Sequence, residues 1–480
     1  MFVMRTVVLL LVGLVASGGC TKANPNQCCT DQADCNAKGI PVDMQCGDGL
    51  VCRGNQCIAE VCTSSADCDL SAPFCVDTSC MATCAADNQC PGNGGSAENV
   101  YCVSGACVTC RDAMDCPSAA PICNMGSCRA CAADTDCSSG ACDLDAGTCI
   151  AETSIAYLSP TGSASSDCSK ADPCSLARAL VVVDVTRPNL KLTGGSYTGN
   201  LQFTGTFGLN VYGPGTLSYF ISIQSAGGTL RLRDLDIAGS LTCAASTSNT
   251  AKPTLDAERV TVTTDGQNGL PFSSDQCIVR LVDVAVTLTG LGTAMFVEGY
   301  AGSGGTMATF DRVRLSGGDP GINLRDQSTL TVTNSIFVNQ GTTNGAIQLQ
   351  TGTGGNETGS VSFSTFYNSL LKCPASNTVL TSSNNIFVNE SSGAPANTVT
   401  GTACSHTYDL IKPQAAAVGA TNLLGMDPRF VNAAMGDFHL MTGSPAIDAA
   451  DPAATLTSDY DGTARPQGSA RDIGAFEYKP

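Results

Sequence analysis

The chain has 480 residues, a formal net charge of −18, 29 cysteines and no tryptophan. A chain this acidic repels a phosphate backbone, which argues against nucleic acid as a partner, and its length allows more than one domain. The cysteines are distributed unevenly: 22 lie between Cys28 and Cys149, and six follow. The composition therefore predicts a disulfide-rich region ahead of a larger domain with few cysteines.

Residues 1–19 have the features of an export signal, with Arg5 ahead of an apolar run from Val7 to Ala16. Ser17-Gly18-Gly19-Cys20 follows and resembles a bacterial lipobox, in which the cysteine thiol accepts a diacylglyceryl group. The resemblance implies lipidation of Cys20, with residues 20–27 as a tether. Because Ser17 replaces the usual aliphatic residue, cleavage after Gly18 by an ordinary signal peptidase is the alternative. We expect an exported, lipid-anchored protein at the bacterial outer membrane or cell surface.

Residues 28–150 are predicted to form a stalk of cysteine-rich repeats. Each repeat opens with C-x5-C, and export favours disulfides over zinc ligation. Three pairings stay open within each module, and Cys28 is predicted to pair with Cys46 outside the modules. The pattern resembles short repeats of bacterial surface lipoproteins. The five modules are Cys29/Cys35/Cys52/Cys57, Cys62/Cys68/Cys75/Cys80, Cys84/Cys90/Cys102/Cys107, Cys110/Cys116/Cys123/Cys128 and Cys131/Cys137/Cys142/Cys149.

An aspartate precedes the second cysteine in four modules: Asp34, Asp67, Asp115 and Asp136. We expect its side chain to close a local turn. Calcium binding is the alternative, and no other cofactor or metal is expected.

A seven-residue apolar frame recurs in residues 151–480. Each unit is predicted to form two short strands. Inward-facing apolar residues alternate with outward-facing ones, and this alternation shifts by one residue at a two-residue corner. Equivalent points at Ile237, Val262, Val286, Leu315, Phe337, Phe366 and Phe387 are 25, 24, 29, 22, 29 and 21 residues apart, which predicts stacked coils. The frames are Leu230/Leu232/Leu235/Ile237, Leu255/Ala257/Val260/Val262, Val279/Leu281/Val284/Val286, Ala308/Phe310/Val313/Leu315 and Leu330/Val332/Ser335/Phe337.

Residues 155–200 are predicted to cap the first coil with a short helix that Ser175 begins. The run YLSPTGSASSDCSKADPCSLARAL at 157–180, with Gly194-Gly195-Ser196-Tyr197, resembles the start of right-handed parallel β-helix proteins of the pectin-lyase-like class. The expected fold class is therefore all-β, a right-handed parallel β-helix after a disulfide-rich, loop-dominated repeat region. The remaining predicted disulfides are Cys168 with Cys174, Cys243 with Cys277, and Cys373 with Cys404.

The second corner position reads Asp234, Arg259, Asp283, Arg312, Asn334, Phe363 and Asn384 in successive coils. Acidic and basic side chains would alternate along one edge, about 4.8 Å apart. We interpret this as an external ladder that fixes coil register, with a binding strip as the alternative. Phe363 interrupts the column.

Residues 405–480 are predicted to form a C-terminal cap. The segments Asp427-Pro428-Arg429-Phe430, Gly443-Ser444-Pro445-Ala446-Ile447-Asp448 and Asp472-Ile473-Gly474-Ala475-Phe476-Glu477 resemble the C-terminal block of β-helix surface proteins of the choice-of-anchor Q type. We expect Asp448, Asp459, Asp461 and Asp472 to surround Arg465 in an ion-pair cap. A catalytic or calcium-binding role for these carboxylates is the alternative.

Polysaccharide lyases and hydrolases share the expected fold, so catalysis must be sought in a site. The chain contains no N-T-D, D-D or G-H-G run and no tryptophan to stack on a sugar, and His406 and His439 are predicted to be structural. The best catalytic candidates, Asp311, Arg312, Asp319, Arg325 and Asp326, cluster in sequence around one coil.

We therefore expect a non-catalytic, membrane-anchored surface protein whose β-helix recognises polysaccharide or another envelope component. One alternative is a polysaccharide lyase or glycoside hydrolase that acts on an acidic glycan. The other is a purely structural surface scaffold.

Overall fold

The computed structural model describes residues 101–245, 251–266, 270–299, 304–341, 343–350, 356–369, 371–372, 379–390, 399–400, 404–414 and 418–480. Before residue 101 it describes Cys29, Cys35, 50–53, 56–59, 74–76, 79–81, 83–87 and Cys90. The predictions for Cys20, Cys28, Cys46 and Cys373 lie outside these residues. The chain divides into two compact units, Met1–Cys149 and Ile150–Pro480.

The first unit is built from two-stranded antiparallel hairpins and short 3-10 turns at Ala113–Asp115 and Asp134–Asp136. In all five described hairpins a cysteine of one strand lies directly opposite a cysteine of the other. The hairpins are β1 (Leu50–Arg53) with β2 (Gln56–Ala59), β3 (Phe74–Val76) with β4 (Ser79–Met81), β5 (Tyr101–Val103) with β6 (Ala106–Val108), β7 (Ile122–Asn124) with β8 (Ser127–Arg129), and β9 (Cys142–Asp143) with β10 (Thr148–Cys149).

Disulfides link the last three hairpins to the segments that precede them, which confirms the predicted disulfide-rich region. In the last three modules the first cysteine pairs with the third and the second with the fourth, so the structure selects one of the pairings that the sequence left open. Cys29 instead pairs with Cys35. The module bonds are Cys84–Cys102, Cys90–Cys107, Cys110–Cys123, Cys116–Cys128, Cys131–Cys142 and Cys137–Cys149.

The aspartate before the second cysteine closes a turn in both modules where its bonds are described. Asp115 Oδ2 accepts from the backbone N–H of Arg111 at 2.8 Å, and Asp136 Oδ2 accepts from Ala132 N–H at 2.8 Å. Each carboxylate is also bound by an arginine, Arg111 or Arg129. These contacts hold the pKa of Asp115 and of Asp136 well below the usual range.

The second unit is a parallel β-helix, which confirms the expected all-β fold class. Its strands are β11 (Ile155–Ser163), β12 (Asn189–Leu192), β13 (Ser196–Thr198), β14 (Leu201–Phe203), β15 (Gly208–Tyr212), β16 (Thr216–Gln224), β17 (Thr229–Ala244), β18 (Thr254–Thr264), β19 (Phe272–Asp275), β20 (Ile278–Val282), β21 (Ala285–Leu288), β22 (Met295–Glu298), β23 (Met307–Asp311), β24 (Arg314–Ser316), β25 (Ile322–Arg325), β26 (Thr329–Thr333), β27 (Ile336–Val338), β28 (Ile347–Gln350), β29 (Thr358–Ser362), β30 (Thr365–Tyr367), β31 (Leu371–Lys372), β32 (Val379–Ser383), β33 (Ile386–Val388), β34 (Val399–Thr400), β35 (Cys404–Thr407), β36 (Leu410–Lys412) and β37 (Leu423–Leu424).

These strands pair in parallel across coils and form three sheets. Sheet A contains β11, β12, β15, the starts of β17 and β18, β20, β23, β26, β29, β32 and β35. Sheet B contains β13, the start of β16, the second parts of β17 and β18, β21, β24, β27, β30, β33, β36 and β37. Sheet C contains β14, the ends of β16 and β17, β19, β22, β25, β28, β31 and β34.

The apolar frame fills the interior of the coils. All twenty frame residues predicted above are buried, and the predicted equivalent points pair in register across successive coils. At one level three aromatic rings stack: the centroid of Phe366 lies 4.5 Å from those of both Phe337 and Phe387. The repeat of the apolar frame in the sequence therefore predicted both the stacked coils and the residues that pair across them.

The corner between sheets A and B is formed by a residue with left-handed backbone. All seven corner residues, from Asp234 to Asn384, have φ between 48° and 61°, although none is glycine. Arg259 Nε lies 2.6 Å from Asp234 Oδ1, and Arg312 Nε lies 2.6 Å from Asp283 Oδ1. Phe363 occupies the corner in the same register, so the column is continuous through it.

The N-terminal end of the β-helix carries helix α1 (Leu176–Val182), which Ser175 begins by accepting from the N–H of Arg178 at 3.3 Å. Leu176 and Ala179 of this helix pack into the core. The structure joins Cys168 to Cys174 beside α1, and Cys243 to Cys277 within the coils. Across the residues that are described, no helix combines the length and apolarity needed to cross a bilayer.

The predicted C-terminal cap divides into two parts. Residues 404–424 still supply coil strands β35 to β37, whereas residues 426–480 lie along the outer face of sheet B and form a second core there. This lateral segment contains the antiparallel pair β38 (Phe430–Asn432) and β39 (Asp437–Leu440). Gly474 N–H donates to the carbonyl of Asn384 at 2.8 Å and fixes it to the corner.

Candidate functional site

The outer face of sheet C brings charged, polar and aromatic side chains of neighbouring coils together. Side chains alternate across a strand, so Met295 and Val297 of β22 point into the core while Phe296 and Glu298 point outward. On the neighbouring coils Asp275 is paired with Glu298, and Asn323 with Phe296. We call Asp275, Phe296, Glu298, Asn323 and Arg325 the carboxylate face.

One arginine neutralises part of this acidic group. Arg325 Nε lies 2.5 Å from Glu298 Oε2 and 3.6 Å from Asp326 Oδ2. Its guanidinium also lies 5.1 Å from the ring centroid of Phe296, within the range of a cation–π contact. Glu298 and Arg325 therefore form a partly exposed pair beside an aromatic ring.

Asp275 differs from the other carboxylates of the face. Burial, followed by the charge of neighbouring Glu298, raises the pKa of Asp275, and Arg325 only partly opposes this. Its Oδ1 is buried and accepts no hydrogen bond from the described residues. Asp275 is thus a partly buried carboxyl with one oxygen unpartnered among the described residues, beside a Glu298 that is ion-paired with Arg325.

The carboxylate face offers two kinds of chemistry. A ring with nearby amides is suited to contact the apolar and hydroxyl surfaces of a sugar, and Asn323 Nδ2 donates to Gln350 Oε1 at 3.0 Å along the same face. Two carboxyl groups on neighbouring coils, Asp275 and Glu298, also resemble the pair that glycosidic cleavage requires.

The structure separates the five predicted catalytic residues. Asp311 and Arg312 lie at the corner between sheets A and B, where Arg312 is bound by Asp283 and lies 2.5 Å from Asp311. Asp319 lies between sheets B and C, where its Oδ1 accepts from Asn344 N–H at 2.6 Å. Arg325 and Asp326 lie at the end of sheet C. The prediction of one cluster was wrong in this respect, because residues close in sequence along a coil occupy different corners.

Two residues of the carboxylate face, Asp275 and Glu298, were missed by the sequence reasoning. Each ends a short strand, in FSSD at 272–275 and MFVE at 295–298, at the same alternating position. If the apolar frame had been extended to the third strand of each coil, Phe272 would have aligned with Met295. Asp275 would then have aligned with Glu298.

The C-terminal aspartates hold the lateral segment through backbone groups. The ion pair of Arg465 is with Glu477, at 2.7 Å, and both side chains are fully buried. Asp448 Oδ1 accepts from Ala470 N–H, Asp459 Oδ1 from Thr463 N–H and Asp472 Oδ1 from Asp448 N–H. Burial raises the pKa of Asp472 to about 6 and lowers that of Arg465.

Both histidines are bound to aspartates. His406 Nδ1 lies 2.9 Å from Asp409 Oδ2 inside the last coil of sheet A. His439 is half-exposed on the lateral segment, with Nδ1 2.6 Å from Asp437 Oδ1 and Nε2 2.8 Å from Asp461 Oδ2. Asp461, assigned by sequence to the Arg465 cluster, therefore belongs to the His439 cluster.

Metal ligation finds little support in the part of the chain that the structure describes. Three groups of potential ligand atoms lie close enough there to share an ion. All three are cysteine triplets of the repeat modules, such as Cys84, Cys90 and Cys107. Their sulfurs are joined in disulfides, and the thiolate is the form that binds metal.

Comparisons with known proteins match the chain in two places. Residues 54–155 match a family described as a family of unknown function (DUF8331). The crystal structure of pectate lyase Pel9A is similar at 16% identity, covering 68% of this chain and 100% of that chain, with a TM-score of 0.38. No curated protein sequence matches. At this TM-score nothing is carried over from Pel9A, and the fold assignment depends on the sheet pairings above.

Proposed function

We propose that this is an exported, lipid-anchored surface protein whose β-helix binds polysaccharide through the carboxylate face without cleaving it. One observation carries the proposal: Phe296 and the Glu298–Arg325 pair lie together on the outer face of sheet C, with the largely buried amide of Asn323 next to Phe296. An aromatic ring beside hydrogen-bonding groups is a common feature of specific ligand sites.

The charges of this face favour a neutral or amino-bearing sugar. Asp275, Glu298 and Asp326 surround one cation, Arg325, which is already bound to Glu298. A uronate carboxylate would meet like charge there, and like charge disfavours close approach.

Binding is tested with the mature full-length chain against soluble polysaccharides in affinity gels. Replacing Phe296 by alanine should weaken binding about tenfold, because an aromatic contact contributes roughly 0.5–1.5 kcal/mol beyond its buried area. Tyr219→Ala is the matched control, since Tyr219 is 57% exposed and lies on β16, away from this face. Equal affinities for the wild type and Phe296→Ala would contradict the proposed site.

Catalysis is a second candidate function because the carboxyl groups of Asp275 and Glu298 lie opposite each other on neighbouring coils, and burial raises the pKa of Asp275. If the protein cleaves glycans, Asp275→Asn and Glu298→Gln should each abolish release of reducing ends while binding persists. Release that survives both substitutions would exclude this pair as the acid and base. Binding without any release supports the recognition function, and no binding by any face supports a scaffold.

Membrane anchoring is tested separately. Cys20→Ser should remove radiolabelled fatty acid from the protein and shift it from the membrane pellet to the soluble fraction. A Cys20→Ser protein that stays in the pellet would contradict lipid anchoring at this residue.

A further inference from the structure

The outer face of sheet A changes its chemistry along the stack. One column of paired residues passes through Arg231, Asp256 and Arg280, where Arg280 Nη1 lies 2.8 Å from Asp256 Oδ1. From the next coil onward the same column contains only hydroxyl side chains: Thr309, Thr331, Ser360, Thr381 and Ser405.

A second outward column shows the same change. Asp311 is followed there, coil by coil, by Thr333, Ser362, Ser383 and Thr407. We call the hydroxyl residues of the two columns the hydroxyl face. It carries no charged side chain over the coils from β26 to β35.

Much of the hydroxyl face has unused hydrogen-bonding capacity. Thr333 Oγ1 donates to Asp311 at 2.8 Å and Thr381 Oγ1 to the carbonyl of Gly359 at 3.3 Å. The side-chain hydroxyls of Thr331, Ser360, Ser362, Ser383 and Ser405 make no hydrogen bond with other described residues, although the strands that carry them are paired with neighbouring coils. They point to solvent at the repeat of the coils, about 4.8 Å.

A fixed wall borders the hydroxyl face. Residues 451–457 of the lateral segment run beside the second column and enclose a groove of about 460 Å³ with Thr333, Ser362 and Ser383. The wall is fixed to the corner, since Asp451 N–H donates to Asn384 Oδ1 at 2.7 Å.

We propose that this groove is a second glycan site, which takes a neutral polysaccharide chain along the axis of the coils. Hydroxyls at a regular repeat suit a polymer that presents its own hydroxyls at intervals, and Ala454 and Leu456 supply apolar contact from the wall. The lining contains Asp451 but no arginine or lysine, so uronate or sulfate groups have no cation to pair with. The raised wall excludes a flat crystalline surface. The site lies on a different sheet from the carboxylate face and does not depend on it.

Affinity gels with the mature full-length protein test this site, with hydroxyethyl cellulose and dextran as neutral probes and polygalacturonate as the anionic probe. We expect a neutral probe to retard the wild type and polygalacturonate not to. The triple variant Thr333→Val, Ser362→Ala, Ser383→Ala removes the three hydroxyls that line the groove with little change in shape. It should weaken binding about tenfold or more, at roughly 0.5–1.5 kcal/mol per hydrogen bond. Thr261→Val with Thr263→Val, two exposed threonines of sheet B, is the matched control and should bind like the wild type.

A blocking variant gives an independent readout. Ala453→Trp fills the groove from its exposed wall and should abolish binding, whereas Ala464→Trp, also exposed but outside the groove, should not. Retardation by neither neutral probe, equal retardation by polygalacturonate, or full binding by the triple variant would each overturn the proposal. The groove variants are compared in the Phe296→Ala background, where retardation by a neutral probe reports the groove alone. If Phe296→Ala by itself abolishes that retardation, binding belongs to the carboxylate face only.

Discussion

His439 shows how single side chains on the lateral segment respond to their surroundings. Its two ring nitrogens face the carboxylates of Asp437 and Asp461. Burial alone lowers the pKa of His439, but the hydrogen bonds to Asp437 and Asp461 outweigh burial and raise it above 6.5. The hydrogen bond to His439 lowers the pKa of Asp437 below 3.8.

We predict a pH-dependent contribution of His439 to stability. Because its folded-state pKa is raised, the stabilisation is fully present below pH 6.5 and is lost as the pH rises through the folded-state value. The contribution of Asp437 has the opposite sign: it is present above pH 3.8 and is lost as the pH falls through its lowered pKa.

NMR titration of His439 and urea unfolding at several pH values measure both effects. Asp461→Asn should lower the pKa of His439, and His439→Asn should destabilise the protein most between these limits. A His439 pKa at or below 6.5 in the wild type would contradict the prediction.

Arg465 illustrates the cost of an isolated buried charge. It is bound to Glu477, and its guanidinium lies 4.9 Å from the ring centroid of Phe363. Arg465→Met leaves the Glu477 carboxylate buried without its partner and should lower the free energy of unfolding by about 3–5 kcal/mol. The exposed Arg429→Met is the control and should change it by about 0.5 kcal/mol or less. Similar unfolding curves for both variants would show that the pair does not hold the lateral segment.

At the scale of elements, the coil strands are short and are stabilised mainly by their neighbours in the stack. Phe337, Phe366 and Phe387 come from three successive coils of sheet B and touch only because those coils are in register. The middle ring, Phe366, therefore packs against the coil on each side of its own.

Phe366→Ala should lower the free energy of unfolding by about 3–5 kcal/mol, because it leaves a cavity with stacked rings on both sides. Phe207→Ala, at a ring that is only partly buried, should cost clearly less. Chemical denaturation followed by circular dichroism measures the difference. Equal losses at both positions would contradict the importance of the ring stack.

On the scale of the second unit, residues 426–480 cover a part of sheet B that the coils alone leave apolar. Ile336, Val338, Ile386 and Val388 face outward from sheet B and are buried only beneath this segment. The segment also forms one wall of the groove beside the hydroxyl face.

Truncation after residue 425 should expose this apolar surface while leaving the coil interior intact. We expect stronger binding of an anionic hydrophobic dye and a concentration-dependent increase in particle size, since large exposed apolar patches promote association. Light scattering and dye fluorescence measure this outcome. A truncated protein that stays monomeric and binds no more dye than the full chain would argue against the covering role.

The sequence by itself determined the coil architecture and its register, because burial of one apolar column imposes a repeating inward frame such as Leu230, Leu232, Leu235 and Ile237. It also indicated a disulfide-rich N-terminal region, since the density of cysteines can be counted without knowing how they pair.

Only the tertiary structure decided which charged residues meet. Asp275 and Glu298 are 23 positions apart yet lie opposite each other, whereas Asp311 and Asp319 are close in sequence yet lie at different corners. The lateral packing of residues 426–480 likewise depends on contacts with distant strands. The local periodicity of a strand predicts whether a side chain points into the core or outward. The residues that this side chain contacts depend on how distant parts of the chain stack.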